Sequence, residues 1–309
     1  MAIAVALLGC EHPHVPDVLG VIASEPDVHL AAVWSADRSA VPGAVADYLV
    51  QSPDTAIGRA DVTIVCAPTD ERPALCVRAA QAGRPILVEE PLARTATEAA
   101  RVAREIARSR TPAYAVLFLR ELPGLGRLRA LLRSDVLGRV TAAAATYLEP
   151  TALNGGAVTE WMQQAGRAGG GAMTHLGIHL VDAMSALGVR PRLDAVRLDR
   201  RGASGTSDLG GVALGRWGDV PLTLRTSWVT RPGGLEVVIN GTAATAALRD
   251  GTLEITADLG APERWVGAPP DAAEAVRAFL ARLRARKLED DGLRVAVAAH
   301  EVIDRAAVL

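Results

Sequence analysis

The chain has 309 residues, half of them apolar and 22% charged, with a formal net charge of −2 at pH 7. That length accommodates two packed domains and a sizeable core. The near-neutral, mixed charge offers no basic face to nucleic acid or an anionic membrane, and no apolar stretch is long and uncharged enough to span a bilayer.

Residues 3–9 (IAVALLG) read as a strand ending at Gly9, followed by a helix over 15–26 and strands over 29–35 and 61–68. A helix over 71–83 stops at Gly83, and a strand over 85–91 follows. The amphipathic stretch 95–110 opens with Thr95 and has Glu98 three residues on, the pattern of a capping box. A further strand is predicted over 113–119. Buried, non-alternating strands joined by helices predict a parallel sheet covered on both faces, a Rossmann-like α/β domain over residues 1–120.

Beyond that point the pattern changes. A helix over 122–135, a strand from 136, and a glycine cluster leading into a helix over 169–188 come first. Successive strands with Gly and Pro turns run from 193 to 259, and two helical stretches close the chain. These predict an α+β domain over 121–309 with an open, largely antiparallel sheet and a cleft between the domains. The last helices are candidates to return to the first domain. An uncovered apolar sheet face predicts a homodimer or homotetramer.

Cys10, Cys66 and Cys76 sit in or beside apolar runs, which predicts buried reduced thiols and a cytoplasmic protein. The ALLGC opening is like the end of a lipoprotein signal. No positive residue precedes it, however, and a first strand is the better reading.

The stretch LLGCEHPH (7–14) carries the first chemistry. A dinucleotide turn wants glycine at positions 9, 11 and 14, the second for backbone approach to the pyrophosphate and the third for close helix packing. Only Gly9 is present; Glu11 and His14 stand in the other two places. Glu11 either opposes a bound dianion, by roughly several kcal/mol, or caps the turn and points away. A cationic His14 would offset part of that repulsion, and the helix after Pro13 is expected to offer free N–H groups. Ser35 and Arg38, at the end of the second strand, favour a 2′-phosphate and hence NADP over NAD.

Four of the six histidines form the pairs His12/His14 and His175/His179. With Glu11 and Glu90 they have the donor types of a transition-metal site. The favoured reading is two unrelated pairs and no metal; the alternative is one ion shared by His12, His14, His175 and His179.

Several segments, in order, carry a resemblance: the strand–Gly9 opening, VTIVCAPTDERPALCVRAAQAGRPILVEEPLA (62–93), DVLGRV (135–140), GGGAMTHLGIHLVD (169–182) and GLEVVINGTAATAAL (234–248). Together they resemble the glucose–fructose oxidoreductase / inositol dehydrogenase / rhizopine-catabolism (Gfo/Idh/MocA) family. The resemblance implies a dinucleotide held by Gly9, Glu11, His14, Ser35, Arg38, Pro68 and Glu89. Where that family has a Glu-Lys-Pro lysine beside the nicotinamide, this chain has Glu90. His175 takes the place of the family's helix aspartate, and His179 keeps its histidine. Arg72 replaces a histidine after the Thr-Pro turn, and Ser35 an acidic residue.

The resulting expectation is an NAD(P)-dependent oxidoreductase acting on a small molecule, a sugar, cyclitol or related polyol. His179 would handle the proton, with His175 and Glu90 shaping its pKa. Arg120 and Trp161 are candidate substrate contacts by position. Loss of the two glycines and the lysine keeps two other readings open. One is a histidine/carboxylate lyase, hydrolase or isomerase, possibly metal-dependent; the other is a non-catalytic partner subunit.

Overall fold

The apolar run after Met1 forms the first strand, β1 (Ile3–Leu8), whose last four residues are buried. In this computed structural model, residues 2–153, 159–201, 203, 205–258, 261–288 and 293–309 are described. Positions 202, 204 and 259 of the strand region expected over 193–259 lie outside the described residues. The chain divides into two compact units: Met1–Val116 with Thr159–Gly169 and Ala272–Ala298, and Leu117–Val158 with Gly170–Asp271 and Ala299–Leu309.

In unit 1, α1 (Val15–Ser24), β2 (Val28–Trp34), α2 (Pro53–Gly58), β3 (Val62–Val65), α3 (Arg72–Gln81), β4 (Ile86–Val88), α4 (Ala96–Arg108) and β5 (Ala113–Ala115) follow β1. The sheet is parallel throughout, in the order β2-β1-β3-β4-β5. Strands β1, β3 and β4 lack alternation, as expected where helices cover both faces. Leu8, Val65 and Val88 are paired across one row at the carboxyl edge, and Trp34 pairs with Leu8 on the other side. The residues that immediately follow this row, Gly9, Ser35, Cys66 and Glu89, therefore emerge together where parallel α/β sheets place their ligands.

The Thr95 half of the capping box is formed, its hydroxyl accepting a hydrogen bond from the Glu98 N–H at 3.2 Å, while the Glu98 carboxylate accepts from the Arg94 N–H at 3.2 Å. The strand expected over 113–119 is shorter. Its pairing ends at Ala115, and Phe118–Glu121 forms a 3-10 turn. Phe118 and Leu119 are buried without joining the ladder. An apolar run reports burial, and buried turns and buried strands share that signature.

Unit 2 begins with α5 (Pro123–Leu132) and β6 (Val140–Leu148). The short α6 (Ala165–Ala168) belongs to unit 1, and α7 (Ala172–Ala186) returns to unit 2. Then come β7 (Pro191–Asp199), β8 (Gly210–Trp217), β9 (Val220–Ser227), β10 (Gly234–Gly241), β11 (Ala244–Arg249), β12 (Thr252–Ala257) and β13 (Glu263–Val266). After α8 (Ala273–Arg284) in unit 1 and α9 (Leu293–Asp304), the chain ends in β14 (Ala307–Val308). The closing stretch read as helical thus finishes as a short strand, paired with β7.

The sheet of unit 2 has the order β13-β12-β11-β10-β6-β9-β8-β7-β14. It is antiparallel except where β6 meets β9 and β7 meets β14. Helix α7 packs on it and is buried along nearly its whole length.

Candidate functional site

In unit 1 the turn after β1 depends on Gly9. Its φ is +83°, and a Cβ there would lie 2.3 Å from the Ala67 Cα. The side-chain-free approach of this turn to the neighbouring loop explains why glycine persists here when the other two are gone.

Glu11 turns back on the loop. Its Oε2 accepts from the Cys10 N–H at 2.7 Å, and its Oε1 lies 3.4 Å from the Asp37 N–H. Of the two readings of Glu11, the structure has the cap. A carboxylate oxygen occupies the kind of backbone donor that a phosphate oxygen would use.

The free N–H groups expected after Pro13 need correction. His14 N–H donates to His12 Nδ1 at 3.3 Å, Val15 N–H donates to the His12 carbonyl at 3.1 Å, and Pro16 has none. The loop itself thus takes the positions from His14 to Pro16.

At the end of β4, Glu89 is buried between two imidazoles. Its Oε1 is 3.6 Å from His12 Nδ1 and its Oε2 is 3.3 Å from His14 Nδ1. Glu90 is buried beside it in sequence. The Arg72 guanidinium is wholly buried, donating Nε to the Ala67 carbonyl and Nη1 to the Pro91 carbonyl, each at 2.8 Å. Burial pushes its pKa down, and the Glu89 and Glu90 charges push it back up. This arginine is the buried positive group that the sequence reading left out of the site. Its signal was the substitution of a family histidine.

Trp161 belongs to unit 1. It is buried, donates its indole N–H to the Glu11 carbonyl at 3.3 Å, and lies 6.3 Å, ring to ring, from His12. The Arg72 guanidinium stacks over it at 5.5 Å. Pro68 is buried, and its carbonyl accepts from the Glu71 and Arg72 N–H groups. Ser35 is buried as well. Arg38 is exposed and reaches Gln51 at 3.3 Å.

Burial also holds the Cys10 thiol at a pKa of about 12, with the Glu11 charge adding to the effect. Desolvation pushes Cys76 to about 12 against the opposing pull of the Arg72 charge. The three cysteines are buried and free, as expected.

In unit 2, His175 and His179 lie four residues apart on α7, hence on one face, and both are buried. The His179 ring is 4.6 Å from Phe118 and 6.2 Å from Tyr147, and His175 is 5.7 Å from Trp228. Asp182 follows on the same face and holds Arg120 through both carboxylate oxygens, with Arg120 Nε at 2.8 Å from Oδ2. Arg120, a candidate substrate contact, is thus engaged by a buried carboxylate.

The glycine cluster before α7 also has a reason. A Cβ on Gly171 would lie 2.0 Å from the Asp208 carbonyl oxygen. The Asp208 carboxylate accepts from the Gly171 and Met173 N–H groups, each at 2.9 Å, and caps the helix that carries both histidines. Asp208 was not predicted. It lies 37 residues beyond Gly171, outside the reach of local capping rules.

The four-histidine set does not form one group in either unit. His12 and His14 cluster with Glu89 in unit 1, their donor atoms all within 4.8 Å of one another, whereas His175 and His179 belong to unit 2.

Residues 4–117 match the model of the oxidoreductase family's NAD-binding Rossmann fold, and residues 125–247 match the GFO/IDH/MocA C-terminal domain. A levoglucosan dehydrogenase of Pseudarthrobacter phenanthrenivorans is 24% identical over 164 residues, which is 52% of this chain and 40% of that protein. The chain therefore spans less than half the length of this curated relative.

Among solved structures, GenD2 from gentamicin A biosynthesis, in complex with NAD, aligns with a TM-score of 0.81 at 21% identity, covering 99% of this chain and 93% of that one. KijD10, a 3-ketoreductase from Actinomadura kijaniata with NADP and TDP-benzene, aligns at 0.83 with 18% identity over the whole of both chains. The WlbA dehydrogenase of Bordetella pertussis, with NADH and UDP-GlcNAcA, aligns at 0.79 with 17% identity, covering 99% and 95%. These likenesses establish the shared fold.

Proposed function

This chain belongs to the Gfo/Idh/MocA oxidoreductase family, and on that premise we propose that it is an NAD(P)-dependent oxidoreductase of a sugar, cyclitol or related polyol. The observation that carries this reading is the Gly9 turn, whose cradle a Cβ would fill and whose neighbouring Cys10 amide already binds an anionic oxygen. The residues present fit a dinucleotide, provided that Glu11 swings off the amide it caps. Sugar-linked relatives support the substrate class.

The dinucleotide, when bound, supplies or accepts the hydride. The remaining work falls to the chain's own groups. His14, Pro68 and Glu89 line the carboxyl edge with Gly9. Arg38, exposed at the end of β2, favours the 2′-phosphate of NADP, while burial of Ser35 leaves the arginine as its main attraction. His179 exchanges the proton of the substrate hydroxyl, and His175 and Glu90 are the further ionisable groups that tune it. The family's lysine would have offered positive charge; Glu90 stands in its place, and His179 remains as a group that can both accept and donate a proton.

The exposed Val212 and Leu214 on β8 support self-association through the sheet of unit 2. The buried free thiols support a cytoplasmic location. No described helix is long and apolar enough to cross a membrane.

The deciding experiment is titration with NADH and NADPH followed by nicotinamide fluorescence, then turnover on a panel of sugars and cyclitols. Absence of binding at millimolar dinucleotide would overturn the reading. One observation favours the second reading, a histidine/carboxylate lyase, hydrolase or isomerase: the Glu11 carboxylate fills the phosphate-type donor by itself. Turnover of such substrates without added dinucleotide would establish it.

A further inference from the structure

We propose that His12, His14 and Glu89 form a binding site for one divalent transition-metal cation of the zinc class. The two histidines lie two apart in the loop after β1, and Glu89 follows β4 on the same carboxyl edge of the parallel sheet. Sheet order thus joins ligands 75 residues apart in sequence.

Both histidine–carboxylate distances match the edges of a coordination polyhedron and are long for charge-assisted hydrogen bonds. Ligand atoms held at about 2.0–2.2 Å around a tetrahedral zinc stand about 3.3–3.6 Å from one another. Glu89 Oε2 is 3.3 Å from His14 Nδ1, and Oε1 is 3.6 Å from His12 Nδ1. Charge-assisted hydrogen bonds between nitrogen and carboxylate are usually shorter, about 2.7–2.9 Å.

The hydrogen-bonding pattern points the same way. His12 Nδ1 accepts the His14 backbone N–H at 3.3 Å, a long hydrogen bond whose lone pair a cation would take over. The Glu89 oxygen facing it is an acceptor too. A cation between the nitrogen and this oxygen would bind both.

Arg72, the neighbouring buried cation, donates Nε and Nη1 to the carbonyls of Ala67 and Pro91. The donor set, two imidazoles and one carboxylate, suits zinc and the late first-row metals rather than magnesium or calcium. Glu89 and His12 are buried, while the His14 side chain is 22% exposed. That exposed side leaves a coordination position open to solvent or an added ligand. The site stands independently of the redox reading, although it shares the loop assigned to the dinucleotide.

Cobalt(II) serves as the probe. Protein stripped with EDTA and kept free of dinucleotide is titrated with Co²⁺ and followed by its visible d–d absorption, with Zn²⁺ as competitor. The expected result is one equivalent per chain, displaced by Zn²⁺. Affinity should fall by more than about 100-fold in His14→Ala and in Glu89→Gln, past the loss that outer-shell changes cause. It should be unchanged in His29→Ala, on the exposed face of β2. Thermal melts of each variant check folding.

Absence of Co²⁺ binding at millimolar metal, or equal binding by His14→Ala and Glu89→Gln, would overturn the proposal and identify the cluster as a proton-held ion pair. NADH fluorescence, measured separately on metal-free protein, reports on the dinucleotide reading, so either can fail without the other.

Discussion

Glu11 folds its carboxylate onto the backbone N–H of Cys10, 2.7 Å away, and so occupies one donor of the loop that follows the first strand. A dinucleotide phosphate and this side chain compete for the same position. Hydrogen bonds to charged groups contribute about 1.5–3 kcal/mol, equivalent to at least about ten-fold in affinity. Glu11→Ala is therefore expected to tighten NAD(P)H binding about ten-fold in a fluorescence titration. Weaker binding would show that the carboxylate supports the bound loop instead of blocking it.

Arg38 offers the exposed positive group at the end of β2. Its removal should weaken NADPH binding by about ten-fold, in the range of one charge-assisted contact, and leave NADH nearly unchanged. Equal loss for both dinucleotides would remove the argument for a 2′-phosphate preference.

His179 carries the proposed proton transfer. General acid–base groups contribute about 10²–10⁴ in rate, so His179→Ala should lower kcat by that factor with a small change in KM. His175→Ala is expected to displace the pH–rate profile while losing less activity. Full kcat in His179→Ala would place the proton transfer elsewhere.

Asp208 caps α7 through the Gly171 and Met173 amides. Asp208→Ala leaves both buried donors without their acceptor and should destabilise the protein by about 2–4 kcal/mol, read from urea midpoints. Asp208→Asn retains one good acceptor and should lose less. If both variants match the wild type in stability, the cap does not hold the helix.

Cys76 sets an alkaline limit on stability. Burial raises its thiol from the ordinary 9.0 to about 12 in the folded protein. Between pH 9 and about 12 the unfolded chain releases a proton that the folded chain retains. Stability contributed by this thiol is therefore complete below pH 9 and declines by about 1.4 kcal/mol per pH unit above it. Cys76→Ala should flatten the alkaline limb of the stability–pH curve, and an unchanged slope would assign the loss to other groups.

Much of the first unit is legible along the chain. Non-alternating strands, the Thr95–Glu98 capping box and Gly9 each report a local demand, namely burial on two faces, a capped helix start and a turn without room for a side chain. The same local logic fails at 113–119, where apolar residues continue into the core after pairing stops. It also cannot find Asp208 or Arg72, because their partners lie outside any local window or are backbone carbonyls of other loops.

Taken alone, the sequence determines the strand–helix order of the first unit, the glycine turn, the two histidine pairs and the absence of the family's lysine, since all of these are carried by neighbouring residues. Only the tertiary structure decides that Glu11 caps its own loop and that Glu89 joins His12 and His14. Carboxylate direction and cross-strand proximity depend on sheet order, which brings Leu8, Val65 and Val88 into one row and delivers residues distant along the chain to the same edge.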